Sequence, residues 1–101
     1  MVRLTVTWTE RALTQLQEIG ACIALENPEA AQILVHKVMD SADRLAAFPR
    51  SGRKIPEFPT FPQRELIVPP CRVIYRAEGR KAWILSVLRS ERILRRSFFF
   101  P

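Results

Sequence analysis

Histidine, tyrosine and cysteine are scarce in this chain: one His, one Tyr and two Cys among 101 residues. Cys22 and Cys71 lie far apart, with no CxxC pair and no Cys/His cluster. That argues against a zinc site and against the dense disulfide framework of small secreted domains. No motif calls for a cofactor or a metal, and none is expected. No apolar run approaches the roughly 18 residues needed for a membrane-spanning helix. A strand-like run begins almost at Met1 and leaves no room for a secretory leader, so a reduced, cytoplasmic protein without membrane association is expected. Internal repeats and low-complexity segments are missing too.

What the chain does have is positive charge. Sixteen Lys and Arg face ten Asp and Glu, a formal net charge of +6. Such an excess favours a polyanionic partner: nucleic acid, a nucleoprotein, an acidic protein or a membrane surface. An apolar fraction of 48% is too high for a disordered chain, and the length suits one domain with one modest core.

The order of elements can be read from periodicity. In "RLTVTW" (3–8), Leu4, Val6 and Trp8 alternate with Arg3, Thr5 and Thr7, the pattern of a half-buried strand. Thr9 can cap a helix, with Glu10 favourable at its positive end. Ala12, Leu13, Leu16, Ile19 and Ile23 then recur on one helical face. Asn27, Pro28 and Glu29 supply an N-cap, a first-turn proline and a first-turn acid for a second helix reaching about Ala47. Its buried stripe is Ala31, Leu34, Val35, Val38, Ala42 and Leu45. Three strand-like segments follow: "RELIV" (64–68), stopped by Pro69 and Pro70, then "CRVIYRA" (71–77) and "AWILSVL" (82–88) joined by a turn at Gly79.

This order predicts an α+β fold, β-α-α-β-β-β, with a two-helix hairpin packed on one face of a small antiparallel sheet. Pairing alone leaves the first strand free to join at the edge of the meander or between its members. Val73 and Tyr75 should face the helices, with Arg72, Ile74 and Arg76 on the reverse. Arg64 and Arg72 are expected on that reverse, cationic face, and Trp8 and Trp83 in the core. The domain should span residues 1–94, followed by a basic, aromatic tail at 95–101.

Between the helices and the strands lies "FPRSGRKIPEF" (48–58). Pro49 and Pro56 stiffen it and Gly52 permits a tight turn, so Arg50, Arg53 and Lys54 are presented on a constrained loop. The bland alternative is a solvated connector in which Glu57 pairs with Arg53.

The succession "NPEAA", "FPRSGRKIPEF", "REL", "RVIYR" and "ILSVLRSERIL" resembles the RelE/ParE superfamily of bacterial type II toxins, the ParE branch most closely. The resemblance runs from Val2 to about Leu94. It implies a toxin held inactive in a hetero-oligomer by a cognate antitoxin. ParE members poison DNA gyrase; RelE members cut mRNA on the ribosome with basic residues and commonly a C-terminal Tyr or His. For a gyrase-directed toxin, target contacts would fall on Arg50, Arg53, Lys54, Arg64, Arg72, Arg89 and Arg92. For a ribosome-dependent nuclease, Lys54, Arg64 and Arg89 would be the catalytic set.

Metal-free RNA cleavage needs a group to take the 2′-hydroxyl proton and another to protonate the leaving oxygen. Arginine does neither readily, because it stays protonated. His36 falls within the helical segment and Tyr75 on the apolar side of its strand, and "VLRSERIL" offers Ser90, Glu91 and Leu94 where a nuclease would place its acid or base. Of the two activities that the resemblance implies, the residues favour the non-catalytic poison over the nuclease. Leu13, Leu16 and the cluster Phe98, Phe99 and Phe100 are expected to contact the antitoxin or another partner.

Overall fold

The computed structural model describes residues 3–90. Strand β1 (Thr5–Trp8) leads into helix α1 (Glu10–Ala24), then α2 (Pro28–Asp43) and a short 3-10 turn (Arg44–Ala46). Strands β2 (Arg53–Lys54), β3 (Arg64–Val68), β4 (Cys71–Glu78) and β5 (Lys81–Arg89) complete the described chain.

Both predicted caps form. The Thr9 hydroxyl accepts from the Ala12 N–H, and the Asn27 side chain accepts from the Ala30 N–H. The Thr9 hydroxyl also donates to the Ile84 carbonyl at 2.8 Å, tying the start of α1 to β5. The helices cross closely where Gly20 meets Val35; a Cβ at Gly20 would lie 3.2 Å from the Val35 Cγ2. The second helix ends sooner than the pattern suggests, with Arg44–Ala46 tightening into the 3-10 turn.

The sheet order is β1-β5-β4-β3-β2. The layout is the expected one, two helices on a sheet, with two additions. First, β1 takes an edge and runs parallel to β5, Thr5 beside Lys81 and Trp8 beside Ile84, so the sheet is mixed. Second, Arg53 and Lys54, read as loop from sequence, pair with Glu65 and Arg64 as a two-residue edge strand. The β4–β5 turn uses Gly79 at φ 60°, the left-handed region that favours glycine.

The main core lies between helices and sheet. Ala12, Leu16, Leu34, Val38, Ala42 and Leu45 from the helical layer meet Val68, Val73, Tyr75, Ile84 and Val87. Trp8 packs on it. Trp83 does not share that environment: it lies across from Arg76 on the other face, with the Lys81 Nζ 5.0 Å from its ring centre. A smaller core forms on that face, where Ile55, Phe58 and Phe61 cover Ile74 and Leu88. Phe58 and Phe61 stack at 5.0 Å. Residues 55–61 thus form a strap over part of the reverse face, which the sequence presented as an open row of cations.

Candidate functional site: a cationic edge set by one buried tyrosine

Tyr75 is fully buried, and its hydroxyl organises the loop before β2. It donates to the Pro49 carbonyl at 2.8 Å and accepts from the Gly52 N–H at 3.0 Å. Gly52 is needed for closeness rather than for an unusual φ. A Cβ there would fall 2.6 Å from the tyrosine hydroxyl and from the Glu65 carbonyl oxygen. The Gly52 carbonyl in turn accepts from the Arg64 guanidinium at 3.0 Å. Burial raises the Tyr75 pKa above its usual value, against the lowering effects of the Gly52 bond and the Arg64 charge.

One edge of the sheet therefore carries four cations on a fixed backbone. Arg50, Arg53 and Lys54 are exposed, Arg64 is partly exposed, and Lys54 sits opposite Arg64 in the β2–β3 register. They are divided between the faces. Arg64 pairs with Tyr75 and so shares the helix side, together with Leu66 and Val68. Its expected place opposite the helices is corrected by that register. Strand parity required it, since Leu66 and Val68 are the side chains of "RELIV" that pack on the main core.

Arg72 does occupy the reverse face, but it is only 7% exposed and its charge is taken up locally. It donates to both Glu57 oxygens at 2.8 and 2.9 Å and to Glu65 at 2.6 Å. Glu65, fully buried by its side chain, also accepts from Arg53 at 2.6 Å. The Glu57 and Glu65 carboxylates hold Arg72 still more firmly in its charged form, and Arg72 lowers the Glu57 pKa. Arg72 is thus a clamp that fastens the strap to the sheet; its guanidinium is not displayed for a target. In place of the Glu57–Arg53 pair of the solvated-connector alternative, Glu57 pairs with Arg72 and Glu65 with Arg53.

Arg89 stands elsewhere. It pairs with Cys71 at the far end of β4, four residues from Tyr75, about 13 Å along the strand. It borders a shallow recess with Gln15, Glu18, Ile19 and Cys22 of α1. The structure brings Lys54 and Arg64 together and leaves Arg89 apart from them. Arg92, Phe98, Phe99 and Phe100 lie outside the described residues.

His36 is exposed on α2, in the helical layer. It borders an open apolar groove of about 580 Å³ between α1 and α2, lined also by Leu13, Leu16, Gly20, Ala31 and Val35. Leu13 is 40% exposed, while Leu16 is buried and forms the groove floor. Gly20, Ala24 and Ala31 line the groove; their small size is a signal present in the sequence but not read from it. Among the described residues no group of three or more His, Cys, Asp or Glu could hold a metal ion. None of the described helices is long and apolar enough to cross a membrane.

The sequence and the fold are matched among known proteins. The family model of the ParE toxin of the type II toxin–antitoxin system parDE matches residues 6–94. The toxin RelE2 of Caulobacter vibrioides is 41% identical over 76 residues, covering 73% of this chain and 82% of that protein. Y4kP of Sinorhizobium fredii, named as a toxin, is 45% identical over 53 residues, 52% of this chain; the match spans 55% of that relative's length. The solved structure of a chromosomal ParDE TA system from P. aeruginosa superposes with a TM-score of 0.72 at 24% identity, over 86% of this chain and 96% of that one, which supports the fold. With the helix hairpin, the mixed sheet and the family model agreeing over nearly the whole domain, this chain belongs to the ParE toxin family of type II toxin–antitoxin systems.

Proposed function

We propose that the protein arrests growth by poisoning DNA gyrase in the cytoplasm and is neutralised by direct binding of a cognate antitoxin in a hetero-oligomer. The supporting observation is the separation of charge from proton transfer. Lys54 and Arg64 sit together at the sheet edge, while His36 lies on the helical layer. The Tyr75 hydroxyl, though close to Arg64, is buried and occupied by Pro49 and Gly52. A cationic edge of this kind suits docking on a DNA-bound protein target better than acid–base chemistry. Arg50, Arg53, Lys54 and Arg64 are the contacts assigned to that target, with Arg89 and Arg92 as a separate group.

The antitoxin is assigned to the α1–α2 groove, through Leu13 and the Leu16 floor, with the Phe98–Phe100 cluster as a further contact. An acidic antitoxin segment would be captured faster by the +6 charge. The test is direct. Purified protein should inhibit gyrase supercoiling or accumulate cleaved plasmid, while translation in an extract continues. Ribosome-dependent cuts in mRNA, with supercoiling untouched, would overturn this reading.

The relative named RelE2 favours one alternative, a ribosome-dependent endoribonuclease using Lys54, Arg64 and Arg89. Primer extension on translated mRNA, comparing wild type with Arg64→Ala and Arg89→Ala, decides it. Absence of new 5′ ends with the wild-type protein rejects the nuclease.

A further inference from the structure

The strap covers only part of the reverse face. Its residues pack over Ile74 and Leu88 and its clamp holds Arg72. At the other end of that face, the register places Arg76 beside Trp83 and Thr7 beside Trp83, with Lys81 two residues before it. Trp83 belongs to neither core; it is partly exposed, with the Lys81 ammonium over its ring. Arg80 and Arg3 extend the same end: the Arg80 carbonyl accepts from the Thr5 N–H at 2.8 Å, which brings the start of β1 to the β4–β5 turn. Residues 3–8 and 75–84 hold four cations, Arg3, Arg76, Arg80 and Lys81, and one carboxylate, Glu78.

That carboxylate is a weak competitor. Arg76 Nε is 3.4 Å from Glu78 Oε2, and both side chains are solvent-accessible, so the pair contributes little. Strands β4 and β5 and the short turn between them set the backbone from which Arg76, Arg80 and Lys81 project, while their side chains stay accessible. Neighbouring strands about 4.8 Å apart and same-face residues about 7 Å apart set these cations at intervals of several ångströms along the sheet.

We propose that this end of the sheet, left uncovered by the described residues, is a binding surface for the phosphate backbone of duplex DNA, separate from the Arg50–Arg64 edge. Arg76, Arg80 and Lys81 make the phosphate contacts and Arg3 adds to the field. Trp83 acts as a rigid platform that keeps Lys81 extended. The proposal deepens the gyrase reading, because a toxin acting on a gyrase–DNA complex would gain a hold on the DNA as well as on the enzyme.

The test uses the full chain and a short fluorescent DNA duplex, without gyrase. Wild type should bind with an affinity that falls steeply as salt rises. The triple variant Arg76→Gln/Arg80→Gln/Lys81→Gln should bind about tenfold or more weakly, with the slope of log affinity against log salt reduced by about 2 to 3. Lys37→Gln, on the helical layer, should leave both values unchanged. Thermal unfolding of each variant confirms that the fold is kept. No binding by wild type, an unchanged slope in the triple variant, or displacement of the DNA by poly-glutamate as readily as by unlabelled DNA would overturn the proposal. Because gyrase is absent, failure here leaves the gyrase reading standing, and failure of supercoiling inhibition leaves this surface standing.

Discussion

Gly52 lies so close to Tyr75 that a single added carbon would strike the phenol: a Cβ at position 52 would be 2.6 Å from both the hydroxyl oxygen and Cε1. The same carbon would meet the Glu65 carbonyl at 2.6 Å, and backbone cannot step aside as a flexible side chain can. Gly52→Ala should therefore destabilise by about 3 kcal/mol, the upper part of the usual overpacking range. Denaturant midpoints at unchanged slope would measure it. The displaced loop carries Arg50, Arg53 and Lys54, so activity on the target should fall in parallel.

Tyr75→Phe removes one oxygen that serves two backbone groups. The Gly52 N–H and the Pro49 carbonyl lose their partner in a buried setting, a destabilisation of about 1–3 kcal/mol. Tyr75 is the single tyrosine, so the tyrosinate absorbance band reports on it alone. Its folded pKa is raised above the ordinary 10.0. The neutral form is the one the fold prefers, so the associated stability is full below about pH 10 and is lost as pH rises above it toward the folded value. The band should appear late and together with unfolding. A smooth titration near pH 10 with the fold intact would contradict the buried hydroxyl.

Arg72→Met leaves Glu65 buried with only Arg53 to answer its charge and frees Glu57. Breaking a buried pair on one side costs about 3–5 kcal/mol, and the surviving Arg53 contact places this variant near 3. Urea unfolding at neutral pH reads the loss.

Glu57 ties the strap from its exposed side, and its folded pKa is lowered from 4.5 by Arg72. The sign follows directly: its contribution is complete above about pH 5 and disappears as pH falls below 4.5 through the folded value. Glu57 is nearly half exposed, so the contribution is about 1 kcal/mol or less. Glu57→Gln should be slightly less stable than wild type at pH 7 and indistinguishable from it in strong acid.

Leu13→Asp places a charge on the rim of the α1–α2 groove, where the side chain is already partly in water. Stability should hardly change, and antitoxin affinity measured by calorimetry should fall about tenfold or more, the loss expected of a buried apolar anchor. Gyrase inhibition by the free variant should stay at the wild-type level. Deleting residues 95–101 in the same assay decides whether the Phe98–Phe100 cluster contributes.

Much of this fold was readable from local rules. Thr9 and Asn27 are caps by side-chain chemistry, and the helical stripe from Ala31 to Leu45 follows from period alone. What escaped depends on partners distant in sequence. Ile74 falls on the reverse face between two arginines, and the residues that cover it there, Ile55, Phe58 and Phe61, lie in a segment read as loop. Arg72 looked displayed until Glu57 and Glu65 closed on it. Trp83 looked like a core residue because alternation does not say which face a strap covers. Arg64 is different: strand parity with Leu66 and Val68 already contained the answer.

The parallel seam between β1 and β5 ties together groups 75 residues apart, as in the Thr9–Ile84 bond. Closing so long a loop costs more chain entropy than forming the local helix hairpin. On the ribosome, then, the sheet stays incomplete until Lys81–Arg89 has emerged, and the Arg76–Lys81 turn has no β1 beside it before then. For most of its synthesis the nascent chain therefore lacks the strand that joins β1 to the rest of the sheet.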